Sequence, residues 1–174
     1  MDKPPLGTPR YGDAQHHSNT LHGLDDLCKK YINKETVVLE LGSHRGVSTS
    51  LFCYYAKYVV AIDWNKTNGM TELIKTCTNL LFKKADISAM LPTMVSVPKL
   101  RFDFIYIDTE HDYDSVKRDV ELSMPLLKEG GIISGHDYGE THVGVVNAVR
   151  ERWPDHEIEV FKDTSWVITG EKVK

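Results

Sequence analysis

Thr36-Val37-Val38-Leu39-Glu40-Leu41-Gly42-Ser43-His44-Arg45-Gly46 begins as a β-branched apolar run, closes it with a carboxylate and then turns through two glycines. A helical pattern resumes at residues 48–57, so the stretch reads as strand, loop and helix. The same arrangement recurs along the chain. Asp63 closes Val59-Val60-Ala61-Ile62, and Asp86, Asp108 and Asp137 follow later apolar runs, at successive intervals of 23, 23, 22 and 29 residues from Glu40. Each interval holds one strand, one helix and their loops, the length of a βα unit. Right-handed crossovers bring parallel strands out at one edge. The five acids are therefore expected to gather along the carboxyl rim of an α/β sheet, where such sheets bind ligands.

Working outward, a second strand is expected over residues 58–63 and a third, weakened by its lysines, over 80–85. Residues 101–108 form the clearest central strand, because Phe102, Phe104, Ile105, Tyr106 and Ile107 leave hardly a polar position for an open face. Residues 132–134 make the fifth. Leu21, Leu24, Leu27, Cys28 and Ile32 recur at helical spacing after an N-cap at Ser18 or Asn19, giving a covering helix. Further helices are expected at 70–79 and, short and broken by Pro92, within 88–99. A helix capped by Asp114 or Ser115 is expected to be kinked by Pro125 and ended by Gly130-Gly131. Val145, Val146, Val149 and Trp153 mark a last helix that Pro154 stops. Residues 157–161 and 165–169 then read as an antiparallel hairpin. The fold class is α/β: a doubly wound, Rossmann-like sheet, mostly parallel with a C-terminal antiparallel hairpin. It forms a single domain over residues 1–174, with an extended arm over 1–17.

Composition narrows the function classes. A hydrophobic content of 41% suits one globular core, and a net charge of −4 without a local Lys/Arg cluster gives no footprint for nucleic acid. The opening Met1-Asp2-Lys3-Pro4-Pro5 lacks the apolar stretch of a signal peptide, and no run approaches a membrane span, so no membrane association and a cytoplasmic location are expected. Cys28, Cys53 and Cys77 are widely spaced and read as small hydrophobes.

The loop after the first strand reads as a cofactor cradle. Gly42 and Gly46 suit a sharp turn and close backbone approach, with Ser43 and Ser48 beside them. A dinucleotide fingerprint would supply a further glycine at position 44, and Glu40 would oppose a pyrophosphate, which disfavours another nucleotide-cofactor enzyme. Glu40 would instead welcome a cation, and S-adenosylmethionine carries an ammonium and a sulfonium. Asp63 is placed to accept from two ribose hydroxyls and Asp86 from an adenine amine, with Trp64 either against the adenine or ribose or packed on the nearest helix. For each acid the competing reading is a cap on the following turn.

The motifs Glu40-Leu41-Gly42-Ser43-His44-Arg45-Gly46-Val47-Ser48-Thr49, Phe102-Asp103-Phe104-Ile105-Tyr106-Ile107-Asp108, His111-x-Tyr113 and Gly130-Gly131-Ile132-Ile133-x-Gly135-His136-Asp137-Tyr138 resemble class I S-adenosylmethionine-dependent methyltransferases. Within that class they are most similar to the macrocin O-methyltransferase and cephalosporin-hydroxylase-like branch. The resemblance covers roughly residues 35–170. It implies a seven-stranded sheet with the terminal hairpin inserted antiparallel, and methyl-donor binding over the first three strands, with Asp108 at its border. Two positions depart from the pattern. Thr109 stands where the family has glycine, and His136 stands where metal-using relatives present an acid.

Methyl transfer to a hydroxyl requires the acceptor proton to leave, by a base or by a metal that acidifies it. His111 and His136 are the candidate catalytic bases. Asp108, His136 and Asp137 are the candidate ligands of Mg²⁺ or another divalent ion, although Mg²⁺ prefers oxygen. The sequence leaves both routes open. It also leaves open a catalytically silent S-adenosylmethionine-binding sensor or scaffold, as against an O-methyltransferase of a small-molecule substrate. The short lead and the small segment 137–142 point to an open site or to one completed by a second subunit, and a homodimer is expected.

Overall fold

The computed structural model describes residues 14–168, with side chains from His22 onward. The elements run α1 (Ala14–Tyr31), β1 (Val37–Leu41), α2 (Val47–Tyr55), β2 (Tyr58–Asp63), α3 (Asn68–Thr76), β3 (Leu80–Lys84), α4 (Ile87–Val95), β4 (Phe102–Ile107), α5 (Tyr113–Ser123), β5 (Leu127–Gly135), α6 (Val143–Arg152), β6 (Glu159–Val160) and β7 (Trp166–Ile168). They build one seven-stranded sheet in the order β3-β2-β1-β4-β5-β7-β6. The first five strands are parallel, and β7 inserts antiparallel between β5 and β6. This is the expected Rossmann-like sheet with its C-terminal hairpin. Among the described residues no helix is long and apolar enough to cross a membrane.

The alternation of side chains along each strand divides the core in two. Val38, Val59, Phe104, Tyr106 and Val167 pack with Leu24, Leu27 and Cys28 of α1 and Leu51, Phe52 and Cys53 of α2. Leu39, Leu41, Val60, Ile62, Ile105 and Ile107 pack on the other face with residues of α4, α5 and α6, including Leu91, Val116, Val120, Val145 and Val149. Both faces of β1 and β4 are covered, which is why their sequences read as unbroken apolar runs. The third strand is an edge, its lysines exposed. Cys28 and Cys53 are buried, and all three cysteines are free.

Four expectations are corrected. Residues 14–17 of the expected arm are helical, because nothing between Gly12 and Ser18 breaks a helix; residues 1–13 lie outside the described ones. Pro92 does not break α4, which runs through it; the helix loses one backbone bond but keeps its Asp86 cap and buries Leu91 and Met94. The cap of α5 is Asp112, which accepts from Ser115 N at 3.0 Å, rather than Asp114 or Ser115. Pro125 sits beyond α5, in a 3₁₀ turn Met124–Leu126, and Gly130-Gly131 lies within β5 instead of ending the helix. Phe102 pairs with Leu127 and Phe104 with Ile132, so residues 128–131 bulge opposite Asp103, and Gly130 takes a φ of 71° there. Lys128 closes the bulge by an ion pair to Asp103 at 2.7 Å.

Candidate active site

The β1–α2 loop lies at the carboxyl edge of the sheet. Gly42 has a φ of 83°, and a Cβ on it would lie 1.9 Å from the Asp108 carbonyl oxygen. Gly46 has a φ of 82° and faces Leu73 and Met70 of α3. Both glycines thus allow chain to approach chain, tucking the loop between the tip of β4 and α3. Asp63 fixes the loop from β2. Its Oδ2 accepts from Ser43 N at 3.0 Å and His44 N at 2.7 Å, while Oδ1 accepts from Asn65 N at 2.8 Å. The Ser43 hydroxyl is buried with no hydrogen-bond partner among the described residues.

Glu40 is fully buried. Thr49 donates to its Oε2 at 2.5 Å and Ser48 donates to its Oε1. Desolvation raises its pKa to about 8 against those two hydroxyls, with the charges of Asp108 and Asp63 adding to the rise. Trp64 is 73% exposed. Asp86 is exposed and acts as the cap of α4, accepting from Ala89 N at 2.9 Å and Ser88 Oγ at 2.6 Å.

A second cluster forms where β4 and β5 end. The Asp108 amide donates to Leu41 O at 2.8 Å and the His136 amide to Ile107 O at 3.0 Å, which sets the two tips side by side. Asp137 adopts a φ of 62°, a left-handed turn that Asp tolerates better than most residues. Its carboxylate becomes a hub. Oδ2 is 2.9 Å from His111 Nε2, and Oδ1 is 3.2 Å from His136 Nδ1 and 3.4 Å from His142 Nδ1. Ligand-type atoms of Asp108, His136 and Asp137 lie within 4.8 Å of one another, and so do those of His111, Asp137 and His142. The cluster borders a small cavity lined by Asp108, His111, His136, Val145 and Trp166.

Electrostatics in the cluster pull in opposite directions. Burial lowers the His136 pKa, but the hydrogen bond to Asp137 and the charges of Asp108, Asp137 and Asp163 outweigh it and raise the value to about 9. His136 therefore carries a proton at neutral pH. Burial lifts Asp108 to about 6 although the His136 charge opposes it. Asp137 feels the same desolvation, yet the hydrogen bond from His136 and the surrounding imidazoles hold it below its ordinary value.

The structure thus gathers Glu40, Ser43, Ser48 and Asp63 around the first loop, and Asp108, His111, His136 and Asp137 at the neighbouring tips. Trp64 and Asp86 stand outside both groups. Sequence reasoning missed three contributors. His142 entered only as the end of a short segment. Asp163, in the β6–β7 turn, reaches 3.8 Å from His136 Nε2. Buried Asp119 of α5 accepts from Thr109 Oγ1 at 2.7 Å and anchors the loop after β4. None of these had a local signal, since each depends on one element packing on another.

Residues 39–138 match a family model described as "Methyltransferase domain". A comparison with curated proteins found no match. Among solved structures, CalS11, a TDP-rhamnose 3′-O-methyltransferase of calicheamicin biosynthesis, superposes with a TM-score of 0.70 at 14% identity, covering 89% of this chain and 80% of its own. SMU.1697c from Streptococcus mutans, solved in complex with SAH, gives a TM-score of 0.65 at 12% identity, covering 88% and 97%. An rRNA methylase from Streptococcus thermophilus gives 0.64 at 12% identity, covering 89% and 97%. At these identities the likeness is one of fold.

Proposed function

Since the chain belongs to the methyltransferase domain family, whose methyl donor is S-adenosylmethionine, we propose that it methylates an oxygen of a small molecule at the rim where β1, β4 and β5 end. The observation that carries this reading is the meeting of Asp108, His111, His136 and Asp137 beside the Glu40–Ser43–Asp63 loop. A hydroxyl acceptor must lose its proton in the transfer, and these groups could take it up.

The residues of the first loop fit the donor. Ser43 offers a buried hydroxyl with nothing to bond, and each Asp63 oxygen keeps acceptor capacity beyond the amides it holds. Glu40 stands behind them as a buried acid that a nearby cation would ionise. When bound, S-adenosylmethionine supplies the methyl group for an in-line displacement from its sulfonium. At the other tips, His136 holds a proton at neutral pH and stabilises negative charge on the acceptor oxygen. The base role then falls to His111, oriented by Asp137. The negative net charge and the acidic rim favour a small neutral or cationic acceptor over nucleic acid. The enzyme on this reading is cytoplasmic, and its open rim is closed by a second copy; a single monomer in light scattering at working concentration would remove the dimer.

The test is transfer of labelled methyl from S-adenosylmethionine to a panel of hydroxylated small molecules and, separately, to RNA. Label in a small-molecule ether is the expected result, and label in RNA alone would overturn the reading. Asp108→Asn and Asp137→Asn should abolish turnover while donor affinity changes little. Unchanged donor affinity with no product from any wild-type reaction would favour a silent donor-binding sensor or scaffold.

A further inference from the structure

We propose that His111, Asp137 and His142 form a binding site for a borderline divalent transition ion of the Zn²⁺ or Co²⁺ kind, with His142 as a ligand that the β4 and β5 tips alone do not supply. Each of the three residues places a donor atom within 4.8 Å of those of the other two, and the Asp137 carboxylate lies 2.9 Å from His111 Nε2 and 3.4 Å from His142 Nδ1. An ion drawn between them would need shifts of only the order of an ångström to reach ligand distances of about 2.0–2.2 Å.

Three features of the backbone hold these donors together. Asp137 keeps its left-handed turn through bonds on both sides: Gly139 N donates to Asp137 O at 3.0 Å and Tyr138 N to Thr164 O at 2.9 Å. That turn aims one carboxylate at both imidazoles. The start of α6 lies so close to the loop after β4 that a Cβ on Gly144 would sit 2.5 Å from His111 O and 2.7 Å from Tyr113 N. Glycine at 144 therefore lets His142, two residues earlier, come over His111, with ring centroids 4.6 Å apart at 61°. The His142 amide donates to Gly139 O at 3.0 Å, which closes the short turn carrying the ligand. His111 and His142 are 45% and 33% exposed, so an ion has an entry path and free positions remain for a second molecule.

The donor set decides the metal. Two imidazoles and one carboxylate suit Zn²⁺, Co²⁺ and their neighbours, whereas Mg²⁺ demands oxygen and gives up its waters reluctantly. Thr141 Oγ1, 3.1 Å from His142 Nδ1, must yield, as must the direct contacts of His111 and His142 with Asp137. With an ion in place His111 would be a ligand rather than a base; the ion would lower the pKa of an acceptor hydroxyl bound to it, whose proton would pass to water at the exposed rim. That use rests on the methyltransfer reading above; the binding itself does not.

The test is titration of the purified protein with Co²⁺, followed by its visible ligand-field absorption, and displacement by Zn²⁺ and by Mg²⁺, all without donor or acceptor. One equivalent of Co²⁺ should bind, displaced by Zn²⁺ and resistant to millimolar Mg²⁺. His111→Ala and His142→Ala should each weaken Co²⁺ at least about tenfold, while Asp108→Asn changes it less than about threefold. Both imidazoles lie outside the core, and near-UV circular dichroism of each variant checks that the fold is kept. Wild-type Co²⁺ affinity in His142→Ala, or loss of binding in Asp108→Asn with His142→Ala unaffected, would overturn the site. Because no methyl transfer is read, failure here leaves the proposed reaction standing, and failure of the reaction leaves the metal site standing.

Discussion

Glu40 shows how one residue can carry a pH dependence for the whole chain. Its folded pKa of about 8 stands above its ordinary 4.5 because burial disfavours the charge. Below pH 4.5 both folded and unfolded forms hold the proton, and stability is at its highest with respect to this group. Between 4.5 and about 8 the unfolded chain sheds the proton while the folded one keeps it, so stability falls as pH rises; above that it levels off. The loss is on the order of a few kcal/mol. Glu40→Gln should therefore flatten the decline in melting temperature between pH 5 and 8, and an unchanged slope would mean the carboxylate is better solvated than its burial implies. Ser43 makes a complementary case. Its hydroxyl is buried without a partner, so Ser43→Ala should leave the apo melting point equal or raise it by the equivalent of about 1 kcal/mol. The same variant should weaken S-adenosylhomocysteine in a calorimetric titration. Weaker binding with an unchanged or higher melting point separates a ligand-facing hydroxyl from a structural one. The sequence marked both residues by their place after an apolar run, but not that Glu40 would be fully enclosed. Enclosure comes from Ser48 and Thr49 on the first turn of α2, which no strand pattern reveals.

At the scale of elements, glycines set how closely secondary structures approach, and Gly144 is the most consequential. A methyl group there would fall 2.5 Å from the His111 carbonyl, a backbone atom that cannot swing aside. Gly144→Ala should push the start of α6 off the His111–Tyr113 loop, costing about 1–3 kcal/mol as overpacked sites do. It should also weaken Co²⁺ although no ligand is altered; a destabilised variant that keeps wild-type Co²⁺ affinity would show that His142 is positioned some other way. The elements were legible where periodicity was strong, as in β4 and in the apolar face of α5. They were less legible where proline and glycine seemed to dictate the outcome. Pro92 was tolerated because Leu91 and Met94 still found the core, and Gly130-Gly131 served a bulge within β5 because the Asp103–Lys128 ion pair offered it a partner. Local breakers lose to tertiary burial when the lost bond is single and the buried side chains are large.

Across the whole molecule, the order β3-β2-β1-β4-β5-β7-β6 sorts the rim acids into two groups on either side of the β1–β4 boundary. Evenly spaced acids announced that rim in the sequence, because one βα unit fixes one strand tip. His142 and Asp163 could not be read the same way, since they arrive from a turn before α6 and from the hairpin. The division has a testable consequence. Glu40, Ser43 and Asp63 on the β1–β2 side are assigned to the donor, while His111, Asp137 and His142 on the β4–β5 side are assigned to the ion. A ligand at one hundred times its dissociation constant stabilises the folded chain by about 2.7 kcal/mol, a rise of roughly 5–10 °C for a domain of this size. Asp63→Ala should lose that rise with S-adenosylhomocysteine and keep the Co²⁺ absorption, because Oδ2 of Asp63 holds the Ser43 and His44 amides and touches nothing in the second group. Asp137→Asn should do the reverse. If either substitution removed both responses, the two groups would be one cooperative unit, with coupling transmitted at the close approach of Gly42 to the Asp108 carbonyl. The separation predicted from strand order would then fail.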